Sequence, residues 1–185
     1  LRSHADVFEQ VGLDEAYLDV MQRTQGDYQQ AENLAEIIRA DVLAQEHLTC
    51  SVGVGPNKLV AKIAADYQKP DGLTAVKPED VIRFLAPLPV RSLVGVGKKT
   101  EKKLESLKVN TVAQLARFDV QKLVDVFGKK LGIYFHNASL GKDDEPVEER
   151  GEPESISRIS TLKEDTRKLE FILAEVYKLC VDVHA

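Results

Sequence analysis

The pattern of secondary-structure signals changes at Pro87, and this change limits the chain to few fold classes. Before Pro87, short alternating or β-branched segments are interleaved with helical patterns. Four of these segments are predicted strands, at residues 7–13, 16–20, 49–54 and 73–76. Between Pro87 and Leu140, only short helical segments follow, separated by Gly, Asn or Asp. This order predicts an α+β protein, with a mixed α/β portion over residues 1–86 and a small all-helical portion after it.

Polar residues that can cap helices support this reading. Asp27 and Asn57 are placed to open helices in the first portion, and Thr111 and Asp119 in the second. Their side-chain oxygens can accept hydrogen bonds from the free N–H groups of a first helical turn. We therefore expect helices to begin directly after these four positions.

The C-terminal part of the chain carries a third pattern. Residues 142–154 are polar, acidic and interrupted by proline, so they are predicted to be a mobile linker. Residues 156–162 alternate like a strand, and residues 169–183 follow as an amphipathic helix. One strand and one helix cannot enclose a core, so residues 155–185 are expected to be the beginning of a further domain.

The net charge of −5 argues against a nucleic-acid partner until its distribution is considered. Residues 87–142 carry 11 Lys and Arg against 4 Asp and Glu, whereas residues 1–86 carry 8 against 14. A basic block between acidic ones is a common footprint of phosphate binding. On charge alone, a solvated helical surface explains the block equally well.

The cysteine count and the apolar runs exclude other classes. Cys50 and Cys180 are the only cysteines, so neither a disulfide framework nor a Cys-rich zinc site is predicted, and a cytoplasmic location is expected. No apolar run is long enough for a transmembrane helix, and no secretory signal is recognisable.

Asp14 and Glu15 lie between the first two predicted strands. At a hairpin turn two adjacent carboxylates can converge, and hard oxygen ligands suit Mg²⁺. For an isolated Asp-Glu pair, a polar turn is the commoner explanation. Lys69 opens a Lys-Pro-Asp-Gly turn that can present its ammonium to a phosphate, although it can equally satisfy carbonyls at a helix end.

Two glycine-containing segments remain. Gly53 and Gly55 lead from a strand into a helix, but Lys58 replaces the third glycine of a dinucleotide fingerprint, so close packing is favoured over cofactor binding. Residues 93–107 read as a helix-hairpin-helix around Gly95-Val96-Gly97-Lys98, whose backbone N–H groups can bind a phosphodiester without reading sequence. A weaker echo around Gly128 is either a second such turn or a helix junction.

In their order, these segments resemble the conserved blocks of the Y-family (DinB-like, polymerase IV type) translesion DNA polymerases. Residues 12–19, Gly-Leu-Asp-Glu-Ala-Tyr-Leu-Asp, are similar to the family's Ser-Ile-Asp-Glu-Ala-Tyr-Leu-Asp motif. Residues 51–73 resemble the next block, residues 93–107 the thumb hairpin, and residues 155–162 the first strand of the little finger. The resemblance implies part of a palm at 1–86, a thumb at 87–141, a linker at 142–154 and the start of a little finger at 155–185.

The resemblance also implies roles. Asp14 would be a catalytic metal ligand with Glu15 beside it, and Lys69 would contact the incoming deoxynucleoside triphosphate. Two Mg²⁺ ions would serve the transfer. Residues 95–98 (Gly95, Val96, Gly97 and Lys98) would hold the primer-side backbone of primer–template DNA, and a sliding clamp would bind through a C-terminal segment not contained in this sequence.

The sequence also departs from the family pattern. Gly12 and Leu13 replace Ser and Ile, and the fingers and the first palm strand, which carries a further metal carboxylate, are not in the sequence. We therefore expect a fragment without activity of its own. The alternative is a non-enzymatic DNA-binding module built on the helix-hairpin-helix.

Overall fold

The computed structural model describes residues 1–149, 151 and 156–184. The chain forms two compact units, Leu1–Glu149 and Arg150–Ala185. The first unit contains all the strands of the described residues and most of the helices, and the second contains one helix.

The four predicted strands are present, each shorter than its sequence pattern. Strands β1 (Val7–Gln10) and β2 (Ala16–Asp19) form an antiparallel hairpin in which Gln10 lies opposite Ala16. Strands β3 (Val52–Val54) and β4 (Leu73–Ala75) pair in parallel. Parallel neighbours need a crossover, and helix α3 supplies it between them.

Two helices of this portion, α2 (Tyr28–Glu46) and α3 (Lys58–Tyr67), begin where the predicted caps place them. The bounds of α1 and α4 are Met21–Thr24 and Val81–Leu85. The carboxylate of Asp27 accepts hydrogen bonds from the first turn of α2, and the side chain of Asn57 accepts one from Val60 N in α3. The four-residue helix α1 was not predicted, because it has no side-chain cap.

The portion after Pro87 is helical, as predicted. A single 3₁₀ turn, Val90–Ser92, leads into α5 Lys98–Ser106, α6 Val112–Ala116, α7 Val120–Phe127 and α8 Lys129–Ser139. Thr111 and Gln114 form a capping box at α6, and Asp119 caps α7. Both predicted caps are thereby confirmed.

One cluster of buried apolar side chains runs from α3 to α8. Leu85, Leu104, Leu115, Leu123 and Phe135 are at most 1% exposed. The α4 residue Leu85 belongs to this cluster together with residues of the later helices. The boundary at residues 86 and 87 therefore stays a prediction.

The second unit contains helix α9, Leu169–His184, where the amphipathic pattern predicted a helix. The strand predicted at residues 156–162 is wrong, since these residues have no regular structure and Ser155 lies outside the described residues. A strand needs a neighbour to satisfy its backbone groups, and residues 156–184 contain no second strand. The α+β class itself is confirmed. No helix among the described residues has the length and apolar character to cross a membrane.

Candidate active site

Asp14 and Glu15 occupy the turn between β1 and β2. The carbonyl oxygen of Glu15 accepts hydrogen bonds from Val11 N at 3.0 Å and Gly12 N at 3.2 Å, which closes the turn. Both acidic side chains are exposed at its tip. A Cβ at Gly12 would meet nothing nearer than 3.8 Å, so the family's serine fits this turn equally well.

A chain of ion pairs leads from this turn to Lys69. Lys62 Nζ lies 2.6 Å from Glu15 Oε1 and 3.4 Å from Asp66 Oδ2. Asp66 Oδ1 in turn lies 2.6 Å from Lys69 Nζ. We call these four side chains the ion-pair relay. The relay brings together Glu15 and Lys69, which sequence analysis singled out separately, and adds Lys62 and Asp66, which it did not.

The charges of the relay stabilise one another. Burial disfavours the charged form of Lys62, but the hydrogen bond with Glu15 and the charge of Asp66 raise its pKa overall. Burial likewise opposes ionisation of Asp66, yet the hydrogen bond with Lys69 and the charge of Lys62 lower the pKa of Asp66. Both shifts favour the charged forms of Lys62 and Asp66 at neutral pH.

The turn that carries Lys69 is held from helix α2. Arg39 Nη2 donates to the carbonyl oxygen of Asp71 at 2.6 Å and to its carboxylate at 2.8 Å. The hydrogen bond to Asp71 is the leading cause of the raised pKa of Arg39. A Cβ at Gly72 would lie 2.3 Å from Gln68 O, so the turn also requires glycine for close packing. The sequence predicted the turn but not the arginine that holds it.

The donor set fits part of a divalent-cation site. Asp14 and Glu15 offer hard carboxylate oxygens, and the ammonium of Lys62 already lies as a cation against Glu15. Among the described residues no group of three or more His, Cys, Asp or Glu side chains could hold a metal ion. Further ligands would therefore have to come from substrate, water or other protein groups.

The helix-hairpin-helix is formed as a tight turn between Leu93 and α5. Gly95 has φ +82°, in the region that favours glycine, and Tyr134 donates from its hydroxyl to Val94 O at 2.9 Å. Val96 is 6% exposed and its N–H donates to Leu93 O, so Val96 holds the turn in place. Gly97 is the N-cap of α5, and a Cβ there would have no heavy atom within 4 Å.

This arrangement leaves the start of α5 open. The first N–H groups of a helix have no acceptor within the helix, and they carry the positive end of its dipole. Lys98 and Lys99 follow directly and are exposed. The turn can therefore receive an anion against its backbone at Gly97.

The echo around Gly128 is a close helix pair. Gly128 has φ +81° and joins α7 directly to α8. A Cβ at Gly132 would lie 2.6 Å from Val124 N, so the two helices touch backbone to backbone. The segment is therefore a helix junction with close backbone contact, which is one of the two alternatives that the sequence left open.

The acidic residues 143–149, which we call the acidic strap, lie against the start of α3. Asp143 Oδ2 accepts from Leu59 N at 3.0 Å, and Lys58 Nζ donates to Pro146 O at 3.3 Å. Glu148 N donates to Glu9 Oε2 at 3.2 Å. The mobile linker predicted over 142–154 is therefore wrong for residues 143–149, because composition does not reveal these distant partners.

A cleft of about 350 Å³ lies between β2 and the strap, lined by residues that include Tyr17, Asn57, Lys58 and Glu145. None of the predicted catalytic or nucleotide-binding residues lines it. The candidate site is instead an open surface formed by the turn of Asp14 and Glu15, which we call the acidic turn, by the relay, and by the turn that carries Lys69.

Comparisons with known proteins match two parts of the chain to two family models. The family model described as impB/mucB/samB family matches residues 1–66, and the model described as DNA polymerase-iota, thumb domain, matches residues 91–143. DNA polymerase IV of Nitrosopumilus maritimus is 46% identical over 184 residues, which is 100% of this chain and 50% of that protein. DNA polymerase IV of Legionella pneumophila strain Corby is 40% identical over 185 residues, 100% of this chain and 52% of that protein.

Solved structures show the same similarity. A Y-family DNA polymerase chimera, Dbh-Dpo4(243-245)-Dbh, matches with a TM-score of 0.88 at 32% identity, over 99% of this chain and 53% of that one. An insertion ternary complex of Dbh DNA polymerase matches with a TM-score of 0.77 at 32% identity, over 100% of this chain and 53% of that one. The chain spans about half the length of the curated relatives it matches.

Proposed function

Because the chain belongs to the DinB-like Y-family DNA polymerases, we propose that it is the central part of an enzyme for template-directed nucleotidyl transfer of the translesion type, with low fidelity. The observation that carries the proposal is the ion-pair relay. It joins a carboxylate turn suited to a cation with a lysine suited to a phosphate, which are the two needs of phosphoryl transfer.

We assign the roles as follows. Asp14 and Glu15 are catalytic metal ligands, and Lys69 binds the triphosphate of an incoming deoxynucleotide. Family membership carries a need for divalent metal, and the proposed ions are two Mg²⁺. When bound, they would supply activation of the primer 3′-hydroxyl and charge neutralisation at the leaving pyrophosphate. Lys69, fixed by the turn that Arg39 holds, orients the phosphates by charge.

The DNA partner is assigned to the helical portion. The open start of α5 at Gly97 and Lys98 receives the primer-side backbone, while Gly95 and Val96 hold the turn in shape. The surrounding residues 87–142, with 11 Lys and Arg against 4 Asp and Glu, supply the long-range attraction. We also propose the palm, thumb and little-finger bounds given above, a clamp partner and a cytoplasmic location.

The test is primer extension by the whole polymerase and by this chain alone. The whole polymerase is expected to extend a primer on a template only with divalent metal, and to lose extension in EDTA. The 185-residue chain is expected to extend none, because losing part of the positioned site costs many orders of magnitude in rate. Metal-independent extension by the whole polymerase would overturn the two-metal proposal, and extension by the purified chain would overturn its dependence on other segments.

DNA binding by this chain should depend on Gly97. Gly97→Val is expected to weaken duplex affinity at least about 5-fold and to lower the log–log salt slope by about one, since a side chain would keep a phosphate from the backbone. The backbone at Gly97 has φ −85°, which valine tolerates, and the space around it is free, so the fold should be kept.

Lys103→Ala is the matched control for this measurement. Lys103 Nζ lies 5.8 Å from the ring centroid of Phe127, and the substitution removes one charge without touching the turn. Fluorescence anisotropy over a salt series, with circular dichroism to check folding, should show the smaller loss for Lys103→Ala. Equal losses, or salt-independent binding, would contradict the role of the turn.

One observation favours a second function for this chain taken alone. The glycine turn and helix α5 both lie within the described residues, whereas the acidic turn offers two carboxylates as metal ligands. This second function is that of a non-enzymatic DNA-binding module. If it is correct, the chain would bind duplex DNA as predicted above. The whole protein that contains it would not extend primers. The extension assay therefore separates the two functions.

A further inference from the structure

Lys62 stands between the two ends of the proposed site. Its ammonium contacts the carboxylates of Glu15 and Asp66, at 2.6 Å and 3.4 Å, so it is held mainly by Glu15. Asp66 uses its other oxygen for Lys69, at 2.6 Å. The four charges alternate in sign along the relay, and each inner group is shared by two neighbours.

The spacing of Lys62 and Asp66 within α3 allows Lys62 to shift from one carboxylate partner to the other. Lys62 and Asp66 are four residues apart on one helix and face each other whatever happens at Glu15. A cation that binds Glu15 repels the Lys62 ammonium and takes its acceptor. The partner then left to Lys62 in the relay is Asp66, so Lys62 and Lys69 compete more strongly for the carboxylate that they already share.

Lys69 is the end of the relay that is able to move. Its side chain is 52% exposed, against 25% for Lys62, so it loses little by exchanging Asp66 for another anion. A triphosphate arriving beside the turn would be such an anion.

We propose that Lys62 and Asp66 are positioning residues that couple cation binding at Glu15 to the release of Lys69 toward the triphosphate. The inference rests on the proposed function for the identity of the two ligands, and on the relay for the coupling. By linkage, triphosphate that draws Lys69 away would equally ease cation binding at Glu15. Since exposed ion pairs contribute at most about 1 kcal/mol, the coupling should be about 2- to 5-fold in affinity.

The first experiment observes Lys69 directly in this chain, with no metal present. Glu15→Gln removes the negative charge that holds the Lys62 ammonium, and so weakens this pair as a bound cation would. NMR relaxation of the side-chain ¹⁵N ammonium groups, in the cold at about pH 5, is expected to show greater mobility at Lys69. Asp14→Asn is the matched control, because it removes the same charge from the same turn without belonging to the relay.

The second experiment measures inorganic tripolyphosphate binding in EDTA. Glu15→Gln should bind it about 2- to 5-fold more tightly than Asp14→Asn, and this difference should disappear when both changes are made in a Lys62→Met background. Asp66→Asn should free Lys69 by itself, so that adding Glu15→Gln has no further effect on Lys69 mobility.

If Glu15→Gln and Asp14→Asn change Lys69 mobility and tripolyphosphate affinity equally, the effect comes from the charge lost at the turn and not from the relay. That result would overturn the coupling. Unchanged mobility of the Lys69 ammonium in Glu15→Gln would also overturn the coupling. Neither result touches the proposed function, which depends on metal-dependent extension by the whole polymerase. If the whole polymerase shows no metal-dependent extension, the proposed identity of the two ligands is wrong. The NMR result would still test the coupling within the relay.

Discussion

Asp14→Ala or Glu15→Ala in the whole polymerase should lower the rate of primer extension by at least about 1000-fold, since a bound metal supplies several kcal/mol of transition-state stabilisation. Duplex affinity should change little, because under the proposed function it arises mainly from phosphate contacts with the basic helical portion. Both side chains are exposed on a turn closed by backbone hydrogen bonds, so neither substitution should disturb the fold.

Single-turnover extension and DNA anisotropy on the same samples separate the two effects. Glu79→Ala is a suitable control, because it removes an exposed carboxylate in the Pro78–Asp80 turn, away from the acidic turn in sequence. Wild-type rates in both active-site variants would remove the metal-ligand assignment. A parallel loss of DNA binding would instead indicate a folding defect.

Local signals were enough to predict most of the fold. The caps at Asp27, Asn57, Thr111 and Asp119 act within one helical turn, so their side chains are recognisable in the sequence and confirmed in the structure. The strands were predicted too long, because an apolar alternation extends beyond the residues that find a partner. β3, for example, pairs over three residues only.

Contacts between distant segments account for the errors. The pattern at residues 156–162 contains no information on a pairing strand, and the second unit offers none among its described residues. The acidic strap has the composition of a linker, yet Asp143 finds the backbone N–H of Leu59, which is 84 positions away. Composition predicts solvent exposure but not such a partner.

The residues of the candidate site show the same contrast between local signals and contacts between distant segments. Asp14, Glu15 and Lys69 could be proposed from the sequence because each belongs to a short recognisable segment. Lys62 and Asp66 were missed because their importance depends on side chains from other segments, although their four-residue spacing on a predicted helix was a usable signal. No comparable signal pointed to Arg39, which meets Asp71 only through the packing of α2 beside β4.

The largest effect on stability is expected from Lys58→Met. Lys58 and Glu9 are 8% and 5% exposed, and Lys58 Nζ lies 2.9 Å from Glu9 Oε2. Removing one partner of a buried pair leaves the other charge buried, which typically costs about 3–5 kcal/mol of unfolding free energy. The same substitution removes the contact of Lys58 with Pro146 O, so the acidic strap should loosen too.

The pH dependence of this loss has a definite sign. Burial opposes the charge of Lys58, but its hydrogen bonds with Glu9 and Glu145 raise its pKa overall. A lysine with a raised pKa stabilises the folded state fully below its unfolded pKa, and the contribution disappears as the pH rises through the folded pKa. The difference between wild type and Lys58→Met should therefore persist through neutral pH and shrink only in strongly alkaline solution.

Urea unfolding of the 185-residue chain measures the effect, and hydrogen exchange at residues 143–149 reports on the strap. Arg2→Ala is the control, because it breaks the Arg2–Glu149 pair, whose side chains are both 67% exposed, and should cost no more than about 1 kcal/mol. Lys58→Met combined with Glu9→Leu should recover part of the loss, since the buried carboxylate is then removed together with its lysine partner. If Lys58→Met unfolds at the same urea concentration as Arg2→Ala, the buried pair does not stabilise this unit. If the double variant is no more stable than Lys58→Met, the loss does not come from the charge left on Glu9.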